Sequence, residues 1–300
     1  MATPYIFTLS SQRHLAYSLY GSPARERWII YLHGFPGSRE EGVLWDEAAR
    51  RAGLTVLAPD RPGFGSSAGY TGRQLLDWPN DVSKLCAALA ISHPTVIGVS
   101  GGCPYALACA YALPDLIASV HVVSGLASTE FPGVTAGMAF GNRAMFALMR
   151  RNPRIGQRLV RSIGAAWHAS PRLCLSWFRA FVPPCDRKIL DRPLVRDVML
   201  QNIRTAFEHG PTGPSADFEI IARPWGFPLD GIKVPVTVWH GLADTYVPPA
   251  MGSYLAEHIP AARYHQFPGE GHLLVVEHLE EILRQIAGPE PTQNEAAWNR

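Results

Sequence analysis

A serine with the backbone surroundings of an enzymatic nucleophile lies at position 100. Gly98-Val-Ser-Gly-Gly102 matches the pattern Gly-x-Ser-x-Gly, in which a strand turns into a helix at a single residue. The serine is then held in a strained backbone conformation, and a Cβ two residues before or after it would collide with neighbouring backbone. Because the chain contains 27 glycines, the pattern alone is weak evidence.

A second match, Gly65-Ser-Ser-Ala-Gly69, is centred on Ser67. The surroundings of the two serines differ. Ser100 directly follows the apolar run Thr95–Val99 and precedes the apolar helical pattern of residues 102–113, whereas Ser67 lies in a loop rich in proline and glycine. We therefore predict that Ser100 is the nucleophile and that Ser67 is a turn residue.

A serine hydroxyl is a poor nucleophile at neutral pH and needs an adjacent base. Histidine suits this role because its ordinary pKa of about 6.5 leaves the imidazole mostly neutral at pH 7. A carboxylate would hold the imidazole in one tautomer and stabilise the imidazolium. The chain has 11 histidines and 25 acidic residues, so residue types alone do not select the partners of Ser100.

Five segments together resemble the α/β-hydrolase superfamily, and the resemblance covers roughly residues 5–126 and 229–286. Each segment is ordinary by itself, but their combination in this order is specific. The resemblance implies an α/β fold with a mostly parallel central sheet flanked by helices. The segments are Leu32-His-Gly-Phe-Pro-Gly-Ser38, Pro59-Asp-Arg-Pro-Gly-Phe-Gly-Ser-Ser67, Gly98-Val-Ser-Gly-Gly102, Gly241-Leu-Ala-Asp244 and Gly269-Glu-Gly-His272.

The resemblance also implies the base and the acid. It places the base after the last strand, where His272 follows Arg263–Phe267, and the acid after the preceding strand, where Asp244 follows residues 236–240. Some relatives take the acid from the end of an earlier strand, but residues 122–128 contain no carboxylate. The order Ser, Asp, His agrees with this fold. The structural alternative for Asp244 is a turn residue that forms an Asx hydrogen bond.

Two backbone N–H groups must stabilise the oxyanion of an acyl-transfer reaction. By resemblance, these belong to Phe35 and Gly101. Since Gly101 has no side chain, we expect room beside the reacting carbonyl. The supporting motif residues are His33, Gly34, Gly98 and Gly102.

Several polar residues of the same loops have structural interpretations. The ring of His33 is expected to bond nearby backbone. Asp60 and Arg61 are expected to organise their loop through local hydrogen bonds. His240, at a strand end, is assigned to the core or to the surroundings of the site.

The elements that must position these residues alternate between strand and helix, which indicates a parallel sheet covered by helices. A capping box, Ser38-Arg-Glu-Glu41, predicts a helix that Gly53 ends. Two extended runs at the N-terminus predict an antiparallel hairpin. Strands are predicted at residues 5–9, 15–20, 28–32, 54–58, 95–99, 117–123, 236–240 and 263–267, and further helices at 77–89, 102–113, 250–258 and 273–286.

Between the two halves of this pattern, residues 127–228 show helices broken by proline and glycine and no strand pattern. We predict a core domain of residues 1–126 and 229–288, a helical lid insertion of residues 127–228, and a flexible tail of residues 289–300. The methionines and aromatic residues of the insertion fit an apolar substrate pocket or core packing equally well. Six arginines within residues 143–161 fit a solvated lid helix, with contact to lipid or to an acidic substrate group as the alternative.

The composition excludes several classes of protein. A net charge of +2 gives no reason to expect a nucleic-acid partner. The five cysteines show no metal-ligand spacing, and Cys86, Cys103 and Cys109 are expected to be buried. The chain shows no signal-peptide pattern, no apolar run long enough to span a membrane and no phosphate-binding loop. We expect a cytoplasmic enzyme without cofactor, metal or membrane contact, whose oligomeric state the sequence leaves open.

The predicted function is hydrolysis of a carboxylic ester or related acyl bond in a small, largely apolar substrate, through an acyl-enzyme. A haloalkane dehalogenase or epoxide hydrolase of this fold would carry aspartate where this chain has Ser100. The same triad could instead cleave C–C, thioester, lactone or amide bonds or support perhydrolysis without a cofactor. A non-catalytic member of the fold that binds a small ligand is the third possibility.

Overall fold

The computed structural model describes residues 3–24 and 26–288, so the predicted flexible tail lies outside the described residues. Eight strands form one sheet in the order β1-β2-β4-β3-β5-β6-β7-β8. The β1–β2 and β2–β4 pairs are antiparallel and the remaining pairs are parallel. The strands are β1 Tyr5–Ser10, β2 Arg13–Gly21, β3 Trp28–Leu32, β4 Thr55–Pro59, β5 Thr95–Val99, β6 Ser119–Val123, β7 Val236–Gly241 and β8 Arg263–Phe267.

Helices cover both faces of the sheet, which confirms the predicted α/β fold with a mostly parallel sheet. One apolar core lies beneath α2, α3 and α10, and a second lies beneath α1 and α11 on the opposite face. Strands β3, β4 and β5 are buried along their full length, as continuous apolar runs in a parallel sheet require. These five helices are α1 Asp46–Arg51, α2 Trp78–Ala88, α3 Cys103–Ala112, α10 Pro249–His258 and α11 Leu274–Ala287.

Residues 124–235, all of which the structure describes, contain six α-helices and no strand. The helical character predicted for this region is therefore observed. Helix α5 packs between α4 and α9, and α8 packs on the 3-10 helix Arg39–Trp45 of the core. The six helices are α4 Phe140–Arg151, α5 Pro153–Ala169, α6 Pro171–Phe181, α7 Pro184–Leu190, α8 Pro193–Ala206 and α9 Thr212–Ala222.

The segment predicted as one helix after Ser38 is a 3-10 helix, Arg39–Trp45, followed by α1. Ser38 caps it, since its hydroxyl accepts a hydrogen bond from the Glu40 N–H at 3.3 Å. The capping box also predicts a hydrogen bond from the Ser38 N–H to the Glu41 carboxylate, and this prediction is wrong. The Glu41 carboxylate bonds other groups, and the Ser38 N–H donates to Asn202 Oδ1 at 2.6 Å. A partner from a distant helix replaces the local one that the spacing predicts.

The arginine-rich stretch is divided between α4 and α5 instead of forming one helix. The apolar side chains between these arginines differ in exposure, because Val160 is buried whereas Ile155, Leu159 and Ile163 are exposed. Among the cysteines, Cys86, Cys103 and Cys109 are buried as expected, and burial raises the pKa of each thiol. Within the described residues, no helix combines the length and apolar character needed to cross a bilayer.

Candidate active site

The turn after β5 has the geometry that a strand-to-helix elbow requires. Ser100 has a φ of +52° and begins the 3-10 turn Ser100–Gly102, which leads directly into α3. A Cβ at Gly98 would lie 2.8 Å from the Gly102 carbonyl oxygen, and a Cβ at Gly102 would lie 2.2 Å from the Leu32 carbonyl oxygen. Glycine is needed at both positions because neighbouring backbone occupies the space.

Three side chains that are distant in sequence meet at the carboxyl ends of β5, β7 and β8. The Ser100 hydroxyl lies 3.0 Å from His272 Nε2, and His272 Nδ1 lies 2.8 Å from Asp244 Oδ2. Asp244 is 2% exposed and Ser100 7% exposed, so both bonds lie largely out of solvent. Since neighbouring parallel strands end at one edge of the sheet, the loops that follow them converge there.

The two oxygens of Asp244 have separate roles. Oδ1 accepts the N–H groups of Tyr246 and Val247 at 2.8 and 2.9 Å, which is the Asx-type turn considered as a structural alternative. Oδ2 is left to face His272. The buried His240 lies 3.7 Å from the same oxygen and bonds the Val247 carbonyl at 2.9 Å. The turn and the contact with the imidazole therefore coexist.

The electrostatic surroundings of His272 favour its protonated form. Burial acts to lower the pKa of the imidazole, but the Asp244 carboxylate and its hydrogen bond outweigh burial, with help from Asp186 and Glu41. The pKa of His272 is therefore raised above its ordinary value. Such a group accepts a proton readily and holds it while charge develops nearby.

Gly101 and Phe35 are in direct contact. A Cβ at Gly101 would lie 2.6 Å from the Phe35 Cβ and 3.1 Å from its backbone nitrogen. Phe35 therefore fills the space that a side chain at position 101 would need, and the expected room beside the reacting carbonyl stays a prediction. Because of this contact, the backbone segments of Phe35 and Gly101 lie next to each other. These are the segments expected to supply the two N–H donors.

His33 is fully buried and bonds backbone, as expected. Its Nδ1 donates to the Gly34 carbonyl at 2.9 Å, and Nε2 accepts the Arg61 N–H at 3.4 Å. Burial and the nearby Arg61 charge lower its pKa well below the ordinary value, so the ring is neutral. Arg61 departs from its prediction: besides binding the His33 and Gly34 carbonyls, it forms an ion pair at 2.8 Å with Asp217 of α9.

Asp60 and Ser67 connect the adjacent loop to its surroundings. Asp60 accepts the local Ser66 N–H, as expected, and also accepts the Arg39 N–H at 2.7 Å and pairs with the Arg39 guanidinium 21 residues away. The Ser67 hydroxyl donates to the Asp60 carbonyl at 2.8 Å and accepts the Ala16 N–H at 2.9 Å. Ser67 is thus a buried turn residue, in agreement with its prediction.

Glu41 is a residue of the site that the sequence interpretation assigned only to a helix cap. Its carboxylate accepts the Gly34 N–H at 3.0 Å, the Tyr31 hydroxyl at 2.8 Å and the Asn202 amide at 2.7 Å. Burial raises the pKa of Glu41 despite these three donors. Glu41 thereby joins the loop before Phe35 to helix α8.

The backbone of His272 is held by two further residues that the sequence interpretation missed. The Ser124 hydroxyl, after β6, donates to the His272 carbonyl at 2.9 Å. Asp186 of α7 accepts the backbone N–H groups of His272 and Leu273. Neither contact has a local pattern that could have revealed it, because the partners are 148 and 86 residues apart.

A cavity of about 500 Å³ opens beside Ser100 and His272. Apolar side chains dominate its wall, and within the described residues the acidic and basic side chains that line it are Glu41 and His272. The methionines and aromatic residues of the insertion divide between the two alternatives. Met145, Trp167 and Phe178 line the cavity, whereas Met138, Phe146 and Met149 are buried in the core.

The described part of the chain contains no group of three His, Cys, Asp or Glu side chains that could hold a metal ion. The side chains of Ser100, His272 and Asp244 are joined to one another by hydrogen bonds. The bond between the Ser100 hydroxyl and His272 Nε2 supplies a path for proton transfer between these two side chains.

The sequence model of the alpha/beta hydrolase fold family matches residues 27–279. The chain belongs to this family, which confirms the resemblance, and the match supports an enzyme of this fold. The comparison with curated proteins found no match to this chain.

Solved structures with the same fold cover nearly the whole chain. A thermophilic esterase from Thermogutta terrifontis has a TM-score of 0.67 and 22% identity over 95% of this chain and 97% of its own. A hydrolase from Pseudomonas aeruginosa PA01 has a TM-score of 0.71 and 20% identity over 95% and 98%. An enol-lactonase from Burkholderia xenovorans LB400 has a TM-score of 0.66 and 21% identity over 92% and 96%.

Proposed function

We propose that the protein is a serine hydrolase that cleaves a carboxylic ester or related acyl bond through an acyl-enzyme. Ser100 is the nucleophile, His272 the general base and acid, and Asp244 the group that orients the imidazole. The observation that carries this proposal is the continuous hydrogen-bonded chain from Ser100 through His272 to Asp244, with distances of 3.0 and 2.8 Å.

In the first half of the reaction, His272 Nε2 takes the Ser100 proton while Oγ attacks the carbonyl carbon. The N–H groups of Phe35 and Gly101 stabilise the resulting oxyanion. His272 then gives its proton to the departing alkoxide, which leaves as an alcohol. In the second half, water loses a proton to His272 and attacks the acyl carbon. Collapse of this intermediate releases the carboxylic acid and returns the proton to Ser100.

The cavity supports a small, largely apolar substrate, because its volume of about 500 Å³ lies in the range of small-molecule sites and its wall is mainly apolar. Residues 127–228 act as the lid over this cavity in the proposal. Neutral short-chain or aromatic esters should be better substrates than charged ones. Comparison of 4-nitrophenyl butyrate with its analogue bearing a terminal carboxylate measures this preference.

Labelling with a fluorophosphonate probe tests the nucleophile. The wild-type protein should be labelled and should hydrolyse 4-nitrophenyl esters, and Ser100→Ala should abolish both signals. Ser67→Ala is the matched control, since Ser67 lies in the other Gly-x-Ser-x-Gly segment, and it should retain both. A folded wild-type protein that resists the probe would favour a non-catalytic, ligand-binding member of the family.

Lactone opening is the second candidate function, because it needs the same attack on an ester carbonyl. The structural relatives include the Burkholderia enol-lactonase and an N-acyl homoserine lactone degrading enzyme, Est816. A panel of lactones and open-chain esters of equal carbon number separates the two functions by kcat/KM. Thioester, amide or C–C cleavage and perhydrolysis would be shown by product analysis on matched substrates.

A further inference from the structure

Helix α7 of the insertion carries an aspartate that contacts the loop of the proposed base. Asp186 Oδ2 accepts the His272 N–H at 2.9 Å, and Oδ1 accepts the Leu273 N–H at 2.8 Å. The Asp186 side chain is fully buried. Both carboxylate oxygens are therefore used on consecutive backbone groups, which fixes the direction of the peptide between them.

This contact lies at the start of helix α11. The helix begins at Leu274, and its own N-cap residue, Leu273, supplies no side-chain hydrogen bond. A negative charge is favourable at this end of a helix. Asp186 places its charge there and accepts the N–H of the N-cap residue Leu273 and of His272 before it, although it is 86 residues from His272 in sequence.

The loop is shaped to receive this carboxylate. A Cβ at Gly271 would lie 2.4 Å from Asp186 Oδ2, so the absence of a side chain at Gly271 makes room for Asp186. On the other side, the Ser124 hydroxyl donates to the His272 carbonyl at 2.9 Å. The peptide groups before and after the His272 Cα are thus both held, and the ring can reach Ser100 from a fixed backbone.

Asp186 also adds a negative charge near the imidazole. The other titratable groups that face His272 are Asp244 on its Nδ1, Glu41 across the cavity wall, His240 beside Asp244 and Tyr246, whose ring centroid is 5.2 Å from that of His272. The Asp186 charge favours the imidazolium, as do Asp244 and Glu41, so its removal should lower the pKa of His272.

We propose that Asp186 is a positioning residue, supplied by the insertion, that holds the His272 backbone so that the imidazole stays in line with Ser100. Helix α7 is then a fixed part of the proposed lid that supports the loop of His272. This inference rests on the proposed function, because it assigns Asp186 a role through His272.

The test compares Asp186→Asn with wild type. The amide retains the shape of the side chain but places an NH2 group against one of the two backbone donors and removes the charge. We expect kcat for a 4-nitrophenyl ester to fall by about ten- to a hundredfold with KM changed less than about twofold. Fluorophosphonate labelling should slow by a similar factor, and the acidic limb of kcat/KM should move to lower pH.

Asp191→Asn is the matched control. Asp191 follows α7 directly but is exposed and pairs with the exposed Arg179, so its variant should behave as wild type. Asp186→Ser is a second variant that can still accept one hydrogen bond. If Asp186→Asn keeps the wild-type kcat and acidic limb, or if both Asp186 variants fail to fold while Asp191→Asn folds, the positioning role is overturned.

The outcomes also separate this inference from the proposed function. If the fluorophosphonate probe does not label Ser100 of the wild-type protein, the proposed function itself is contradicted. If the wild-type protein is labelled and Asp186→Asn is labelled at the same rate, only the proposed role of Asp186 is contradicted.

Discussion

Helices α4–α6 and α7–α9 lie in the same segment between β6 and β7 but meet the rest of the molecule in different ways. Each of α7, α8 and α9 sends a fully buried polar side chain into a loop of the site: Asp186 to His272, Asn202 to Ser38 and Glu41, and Asp217 to Arg61. Helices α4–α6 contact the site mainly through apolar groups that line the cavity, as α8 also does, and their polar contact is the Asn142 amide on the Tyr246 carbonyl. They also carry most of the large exposed apolar side chains of this segment, namely Phe140, Ile155, Leu159, Ile163, Leu173, Trp177 and Phe181.

The difference concerns the kind of interaction that holds each half. Buried hydrogen bonds and ion pairs are directional, and a small displacement leaves polar groups without partners at considerable cost. Apolar contacts are individually weak and depend less on orientation. We therefore expect α7–α9 to stay fixed relative to the site, whereas α4–α6 can shift to admit substrates. Five predictions, on four variants, test this contrast.

The largest effect is expected for Asp217→Asn in the anchored half. Asp217 pairs with two buried guanidinium groups, Arg61 at 2.8 Å and Arg73 at 2.7 Å, and accepts the Tyr105 hydroxyl. Removal of its charge leaves both cations uncompensated, and the free energy of unfolding in urea should fall by about 3–5 kcal/mol. The exposed Arg223 of the same region provides the control, because Arg223→Gln should change this value by less than about 0.5 kcal/mol.

The contribution of Asp217 should also depend on pH with a definite sign. Burial acts to raise its pKa, but Arg61 and Arg73 outweigh burial and lower the pKa from 3.8 to about 2. A carboxyl whose folded pKa is depressed stabilises the fold above its unfolded pKa and loses this effect as pH falls toward the folded pKa. The stability difference between wild type and Asp217→Asn should therefore shrink from pH 4 toward pH 2. A constant difference across this range would contradict the ion-pair explanation.

Asn202→Ala should have the next largest effect, mainly on catalysis. The variant removes the acceptor of the Ser38 N–H and a donor to Glu41, which itself holds the Gly34 N–H beside Phe35. We expect kcat to fall about tenfold because the backbone segment that carries Phe35 is less well positioned. Gln201→Ala is the neighbouring control, since Gln201 bonds only Thr205 within α8 among the described contacts, and it should retain the wild-type kcat.

A smaller effect, confined to substrate selection, is expected for Leu159→Ala. Leu159 lines the cavity but is 40% exposed, so its truncation should reduce stability by less than about 1 kcal/mol. Loss of apolar surface should raise KM a few-fold for longer acyl chains and leave the acetate unchanged. Measurement across 4-nitrophenyl esters of increasing length shows the pattern. An equal change for every ester would indicate a general distortion of the site instead.

The smallest effect is expected for Trp177→Ser. Trp177 is 63% exposed on α6 and does not line the cavity, so the substitution should alter the free energy of unfolding by less than about 0.5 kcal/mol and leave kcat/KM unchanged. Urea denaturation and ester hydrolysis measure both quantities. A loss of stability comparable to that of Asp217→Asn would remove the contrast between the two halves.

The sequence by itself determined the fold class and the position of Ser100 in a strand-to-helix turn, because both depend on local patterns: alternating strands and helices, and glycines where backbone approaches closely. The candidate partners Asp244 and His272 were implied by the resemblance to the α/β-hydrolase superfamily, which places them in the loops after the last two strands. The family match and the sheet topology confirm the fold. The catalytic roles remain predictions with a supporting geometry.

Only the tertiary structure decided the partners of Glu41, Arg61 and Asp186. The local pattern assigned Glu41 to a capping box and Arg61 to its own loop, whereas both bond residues of the insertion more than 150 residues away. A side chain's partner depends on which segments the folded backbone brings within about 3 Å, and spacing along the chain carries no record of such contacts. The same reason explains why Phe35, and not empty space, lies against Gly101.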